Sequence, residues 1–410
     1  MKLNLNNISL RISEIGFLLL FPIFFIYHFC LSQNYFTPFL GGLFGNVSLF
    51  VAFLSFLILP WFLKFKIKHV TASVCFFYFA ILFYLTWTFG NQFFIKDHPF
   101  GFHAFWESYS SFIIWCALFY IGFFLPLESI NFYKYLKLNC LLIFIIFILS
   151  VLKEGSFFAL FKYFQSNDDN SSTSSYQQAG RSIFVSFLFL AIIVRNKLIS
   201  LIILLICAII LLSIGSRTDL VSIIIALLLY FLHMLIKGDV SNLRKTLIFL
   251  SFTIVLSFTI LLTQTIFYDS RAAELFDLAS SSSWQGRSDL SSNAFAIIIK
   301  YPIFGKFDYY DVAGGYAHNI LSAWTSFGIF GFILYTFLLG YFLSISLFNY
   351  FLKNRLNIFW FLALTLNLIS FFQSLIAAPI FYALPALGWG LTLNVYLKSR
   401  LSNSTIKKES

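Results

Sequence analysis

"LISLIILLICAIILLSIGSRTDLVSIIIALLLYFLHMLI", residues 198–236, decides the fold. Its polar residues gather in one turn, "SIGSRTDL" (213–220), between two apolar arms. At 1.5 Å per helical residue, each arm reaches across most of a hydrocarbon layer of about 30 Å. Neither arm alternates apolar and polar residues as a membrane β-strand would. Backbone groups in lipid must be satisfied within the segment, so the stretch is a helical hairpin.

The rest of the chain has the same character. Of its 410 residues, 60% are hydrophobic and 10% charged, with 58 Phe and a mean hydropathy of +0.88. A soluble domain carries about 25% charged residues. About twelve segments are apolar enough to span: roughly 14–31, 43–63, 69–90, 109–126, 136–152, 182–194, 198–215, 218–236, 246–267, 319–350, 356–376 and 379–397. The expected fold is all-α, a single polytopic membrane domain over 1–410. Lys2 and Arg11 precede the first apolar run, but no small-residue cleavage site follows it, so it reads as an uncleaved first helix. The five cysteines lie in or at the ends of spans, which predicts no disulfide framework and no metal cluster.

Basic residues orient the bundle. With the N-terminus inside and the spans alternating, 18 of the 27 basic residues and 4 of the 16 acidic ones fall inside. The resulting net charges are about +14 inside and −3 outside. Both termini are therefore expected in the cytoplasm. The basic balance is a topology signal and not a nucleic-acid footprint. The inner loops are short. The outer side holds a large loop, 268–318, between spans 9 and 10, with helix-like stretches at 270–278 and 288–300.

No phosphate-binding Gly-rich loop, dinucleotide fingerprint or H-E-x-x-H motif is present. The spans are almost free of carboxylates, which argues against an ion-coupled pump. A substrate must then arrive already activated, and a membrane lipid is the natural carrier. Basic residues on the outer side are informative because topology does not call for them there, and three arginines carry the signal: Arg217 in the 213–220 turn, Arg287 in "WQGRSDL" and Arg181 in "QQAGRSIF". An Arg fork suits phosphate, and a helix start adds N–H donors to an anion site. Each also has a structural alternative: Arg217 paired with Asp219, Arg287 with Asp289, or simple snorkelling. Asp168–Asp169 reads as a solvated loop. His98 and His103 read as structural, and His28, His69 and His233 as helix-end residues.

In "GGYAHNILSAWTSFGIFG" (314–331), His318 stands beside Asn319 at the outer mouth of a span. On a helix, His318, Ser322 and Thr325 would share one face, and Gly328 and Gly331 would allow close helix packing. A neutral imidazole can take a proton from a hydroxyl, and arginines can stabilise a departing pyrophosphate. Taken alone, a histidine in this position is more often a polar helix cap than a catalyst.

These stretches carry a family resemblance. "AHNILSAWTSFGIFGFILY" (317–335) resembles the H-N-x-x-L…G-x-x-G signature of the O-antigen polymerase and O-antigen ligase superfamily. "GRSDLSSNAFAIIIKYPIFGKF" (286–307) resembles the Arg-led helix and Pro-x-x-Gly turn that precede it there. "IGSRTDL" (214–220) resembles that family's Ser-Arg turn. The resemblance implies a metal-independent, inverting glycosyltransferase of the membrane-embedded GT-C type, without cofactor. It would sit in a bacterial inner membrane with its site facing the periplasm. Its donor would be undecaprenyl-pyrophosphate-linked oligosaccharide. Arg217 and Arg287 would contact the pyrophosphate, Arg181 and Asn319 would join the substrate-binding set, and His318 would activate the acceptor hydroxyl. A chain-length regulator is a candidate partner; nucleic acid is not. Ile320 and Phe327 stand where ligases of the family often have Glu. This favours a polymerase of O-antigen or capsule repeat units over a ligase acting on lipid A–core. A lipid-linked glycan flippase is the alternative from another class. It should carry charges inside several spans, whereas the polar signals here gather at the outer face.

Overall fold

A computed structural model describes residues 5–35, 46–54, 101–165, 176–237, 251, 282–306, 317–352, 357–380 and 382–409. The described residues form helices and connecting turns with no strand. In chain order the principal helices are α1 (Leu5–Leu20), α2 (Pro22–Ser32), α3 (Gly101–Phe124), α4 (Ile130–Glu154), α5 (Ala159–Gln165) and α6 (Tyr176–Ile193). They continue with α7 (Lys197–Ile214), α8 (Arg217–Lys237), α9 (Ser282–Lys300), α10 (Leu321–Leu347), α11 (Ile358–Ile376) and α12 (Leu384–Glu409). A π-helical turn, Phe348–Leu352, ends α10.

Polar residues set the helix ends. Ser129 Oγ accepts from the Phe132 N–H at 3.2 Å and starts α4. Asn196 Oδ1 accepts from Leu198 N at 3.0 Å and Ile199 N at 3.3 Å, starting α7. Asn357 does the same for α11. Each cap satisfies donors that a helix start leaves open.

Among the described residues, seven helical segments are long and apolar enough to cross a membrane: Ile8–Ser32, α4, α6, α7, α8, Leu321–Leu352 and α11. The protein is a multi-pass membrane protein on that basis. Expected span 69–90, more than half of 43–63 and almost all of 246–267 lie outside the described residues, as do all of 270–278, Cys75, His69, His98 and Asp168–Asp169. α4 leaves Leu138, Leu141, Leu142, Ile145, Leu149 and Leu152 exposed at three- and four-residue spacing, a face suited to lipid. Cys30, Cys116, Cys140 and Cys207 are free thiols.

Several expected boundaries need correction. The chain breaks at Phe21, ahead of Pro22, so the first apolar run is two helices. α6 begins at Tyr176 and not at 182. The last apolar run does not become helical until Leu384; residues 377–380, 382 and 383 are not helical. His28 and His233 are buried within helices and are not helix-end residues. His233 Nδ1 lies 2.5 Å from Tyr350 Oη.

α12 lies at the centre, with every residue from 384 to 395 buried. Lipid gives no hydrophobic drive between helices, so close backbone approach and polar contacts hold the bundle. A Cβ on Gly122 of α3 would stand 2.3 Å from the Leu387 carbonyl oxygen, and one on Gly390 2.2 Å from that of Phe119. Asn394 Nδ2 donates to the Gly122 and Leu125 carbonyls at 3.3 and 2.9 Å. Asn367 Nδ2 donates to Ser346 Oγ at 2.9 Å and Thr392 Oγ1 at 2.7 Å, tying α10, α11 and α12. Gly122→Ala should therefore cost about 1–3 kcal/mol by forcing α3 and α12 apart. A lowered melting temperature in detergent is the check; an unchanged melt would show that the contact is dispensable.

Candidate functional site

The 213–220 turn is a helix stop followed by a helix start. Gly215 closes α7 in the left-handed conformation (φ 73°), and its N–H donates to the Leu212 carbonyl at 3.2 Å. Arg217 is the first residue of α8. Ser216 and Asp219 are buried, and Ser216 Oγ donates to Asp219 Oδ2 at 2.6 Å. α6 meets this turn at Gly180, where a Cβ would stand 2.4 Å from Ser216 Cβ and 3.1 Å from Asp219 Oδ2. The next residue, Arg181, interacts electrostatically with Asp219. Arg181 and Arg217 each directly follow one partner of the Gly180–Ser216 contact, so the fold brings these two arginines to one place. Asp219 faces a cation from another helix, a pairing that the local sequence does not reveal. Arg181 occupies the second turn of α6, not its start.

The segment between α11 and α12 reaches the same place. The Arg181 guanidinium lies over the Tyr382 ring, 3.9 Å from its centroid. Burial holds the Tyr382 hydroxyl well above the ordinary tyrosine range, so it stays protonated and donates to Gln373 Oε1. Gln373 Nε2 donates to Ser222 Oγ at 2.6 Å, and Ser222 Oγ donates to the Thr218 carbonyl at 2.7 Å. Ile380 N donates to Ser322 Oγ of α10 at 2.8 Å, while Trp115 Nε1 donates to the Ile380 carbonyl at 3.2 Å.

The His318 side of the site is built by Asn319. Its Oδ1 accepts from Leu321 N at 3.0 Å and its carbonyl from Ser322 N at 3.1 Å, so α10 begins at Leu321. His318 is half-buried and precedes the helix in a bend. The expected helical stripe of His318, Ser322 and Thr325 therefore fails at its first member. The Ser322 and Thr325 hydroxyls donate back to helix carbonyls. Asn319 Nδ2 also donates to Ser291 Oγ of α9 at 3.3 Å.

A second joint locks α9 to α10. Residues 301–306 turn after α9 and lie against a break in α10 at Gly328 (φ 66°, ψ −169°). Lys306 N donates to the Thr325 carbonyl at 2.7 Å, and Ile329 N and Trp324 Nε1 donate to the Pro302 carbonyl at 3.1 and 2.9 Å. Gly328 does give a close approach, but to this turn and not to another helix. A Cβ on Gly331 would meet Phe327 of its own helix, so it packs no second helix. Arg287 lies on α9, which begins five residues earlier at Ser282, so it does not open the helix. Its side chain lies outside the described residues.

No protein-family model matches this chain, and no curated protein matches it either. The site has to be read from its own geometry. A cavity of about 250 Å³ is lined by Arg181, Gln178, Ser111 and Ser182 together with apolar residues of α1, α2, α3 and α12. Arg181 Nε is buried with no hydrogen-bond partner. A guanidinium in the lining of a cavity whose wall is partly polar and partly apolar suits an anionic head on an apolar chain. Among the described residues, no group of three His, Cys, Asp or Glu side chains could hold a metal. Sequence reading missed Tyr382, Gln373 and Asp219 as site builders. Tyr382 and Gln373 sit in stretches that look like ordinary apolar span.

Proposed function

We propose that the protein polymerises lipid-linked surface-polysaccharide repeat units, of O-antigen or capsule type, at the periplasmic face of a bacterial inner membrane. Glycan passes from undecaprenyl pyrophosphate to a sugar hydroxyl with inversion. His318 takes the hydroxyl proton, and Arg217, Arg181 and Arg287 hold the pyrophosphate as it departs. The observation that carries this reading is the pair of joints described above. They bring the Arg287-bearing helix against the bend that holds His318, while Ile380 and Tyr382 bridge α10 to the Arg181–Asp219 pair.

Ile320 and the buried Phe327 supply no acid near His318, which favours the polymerase over the ligase. A flippase would line a path with open polar groups. It should also carry charges inside several spans, whereas the buried polar cluster of Asn367, Ser346 and Thr392 is uncharged, which disfavours transport.

Arg217→Ala should reduce chain extension of lipid-linked glycan by about 10²–10³-fold, the size of a lost oxyanion donor, in protein that still inserts. A cysteine at position 217 should react with an impermeant thiol reagent from the periplasm. Labelling from the cytoplasm alone would rule out this site. Chelators should leave transfer intact.

A further inference from the structure

Arg181 is a cation in a bundle interior, and its guanidinium must be aimed if it is to meet an anion. Its long side chain has rotamer freedom to lose on binding, so whatever fixes it beforehand strengthens that binding. Three contacts surround it. Asp219 balances its charge from α8. The Tyr382 ring lies beneath it, its centroid 3.9 Å from Cζ. Gly180, the residue before it, is pressed against Ser216. Of these, Tyr382 does two jobs at once. Its ring carries the guanidinium, and its hydroxyl is held by Gln373, which is held by Ser222 on the helix that Arg217 begins. Two residues earlier, Ile380 holds Ser322 at the head of the helix that follows His318.

We propose that Tyr382 is a positioning residue for anion binding: it seats the Arg181 guanidinium and, with Gln373, keeps the α11–α12 segment in register with both α8 and the head of α10. Without the ring, Arg181 falls back toward Asp219 and its guanidinium no longer keeps its place in the cavity lining. This inference rests on the polymerase reading for the identity of the natural anion, but not for its own test.

The test uses farnesyl pyrophosphate as a probe, titrated by calorimetry into the purified full-length protein in detergent. Tyr382→Leu should weaken probe binding by about tenfold, the scale of a desolvated cation–π contact. Tyr382→Phe keeps the ring and should lose about threefold or less. In an Arg181→Ala background, Tyr382→Leu should change binding by less than twofold, because the group it positions is gone. A residue that merely packs would lower the melting temperature in both backgrounds and leave the two binding effects additive. A substrate-free arm reads the seat directly. In protein labelled with ¹⁵N-arginine, the Arg181 Nε–H resonance should move when Tyr382 becomes Leu and hold when it becomes Phe. If Tyr382→Leu does not fold, Gln373→Leu, which frees the ring but keeps it, should give a partial loss that also vanishes with Arg181→Ala. Additive effects, an unmoved resonance, or no probe binding by the parent protein would each overturn the proposal. Coupled probe binding in a protein that transfers no glycan would remove the polymerase reading and leave this one standing.

Discussion

His318→Ala should lower the rate of glycan transfer by about 10²–10⁴-fold, the contribution of a positioned general base, with little change in folded yield. The bend that presents His318 is shaped by its neighbours. Asn319 supplies the cap to Leu321 and the bridge to Ser291, and Ala317 is fully buried beside it. Removing the imidazole leaves those contacts in place. Asn319→Ala should in addition lose about 1 kcal/mol of stability from the missing cap. The measurement is the length distribution of lipid-linked glycan made by purified protein, taken beside a thermal melt. Normal extension by the His318→Ala variant would remove the imidazole from the reaction.

Gly328→Ala should be the most damaging single methyl group in the described structure. At φ 66° and ψ −169° the backbone is in a region that only glycine occupies readily. A Cβ there would stand 1.9 Å from the Ile303 carbonyl oxygen. Strain and overlap together amount to about 2–6 kcal/mol, a large share of the 5–15 kcal/mol that folded domains typically have. The cheapest relief is to expel the 301–306 turn, which breaks the Pro302 and Lys306 hydrogen bonds. Lys300 and Lys306 flank that turn, so trypsin should cut there faster in the variant. An unchanged cleavage rate with an unchanged melt would mean that the joint does not hold α9.

Much of the helical framework was legible because membrane helices declare themselves by length and apolarity. The spans expected from 198 and 356 begin within two residues of α7 and α11, whereas the one expected from 136 starts six residues late, because the polar first turn after the Ser129 cap does not look like membrane helix. Breaks were not legible. "SFGIFG" continues an apolar run without interruption, and nothing local says that Gly328 leaves the helix to admit a turn from 25 residues upstream. The same holds at Phe21, where Pro22 was the available signal. In the site, Arg181, Arg217, Asn319 and His318 stand out because charge and imidazole are rare in such a chain. Tyr382 and Gln373 do not stand out. Their roles depend on which helices meet, and in a uniformly apolar sequence the pairing of helices leaves almost no trace.

The glycine contact between α3 and α12 also has a meaning in time. Asn394 and its partner Gly122 are 272 residues apart in the chain. At 5–20 residues per second, synthesis from one to the other takes on the order of 10–50 s. For that interval the Gly122 face of α3 is without its partner helix, and the Leu125 carbonyl without the amide that later answers it. The nascent bundle must keep a slot open in its own middle, and ribosomes that stall before Leu384 leave a membrane protein with a seam in place of a centre.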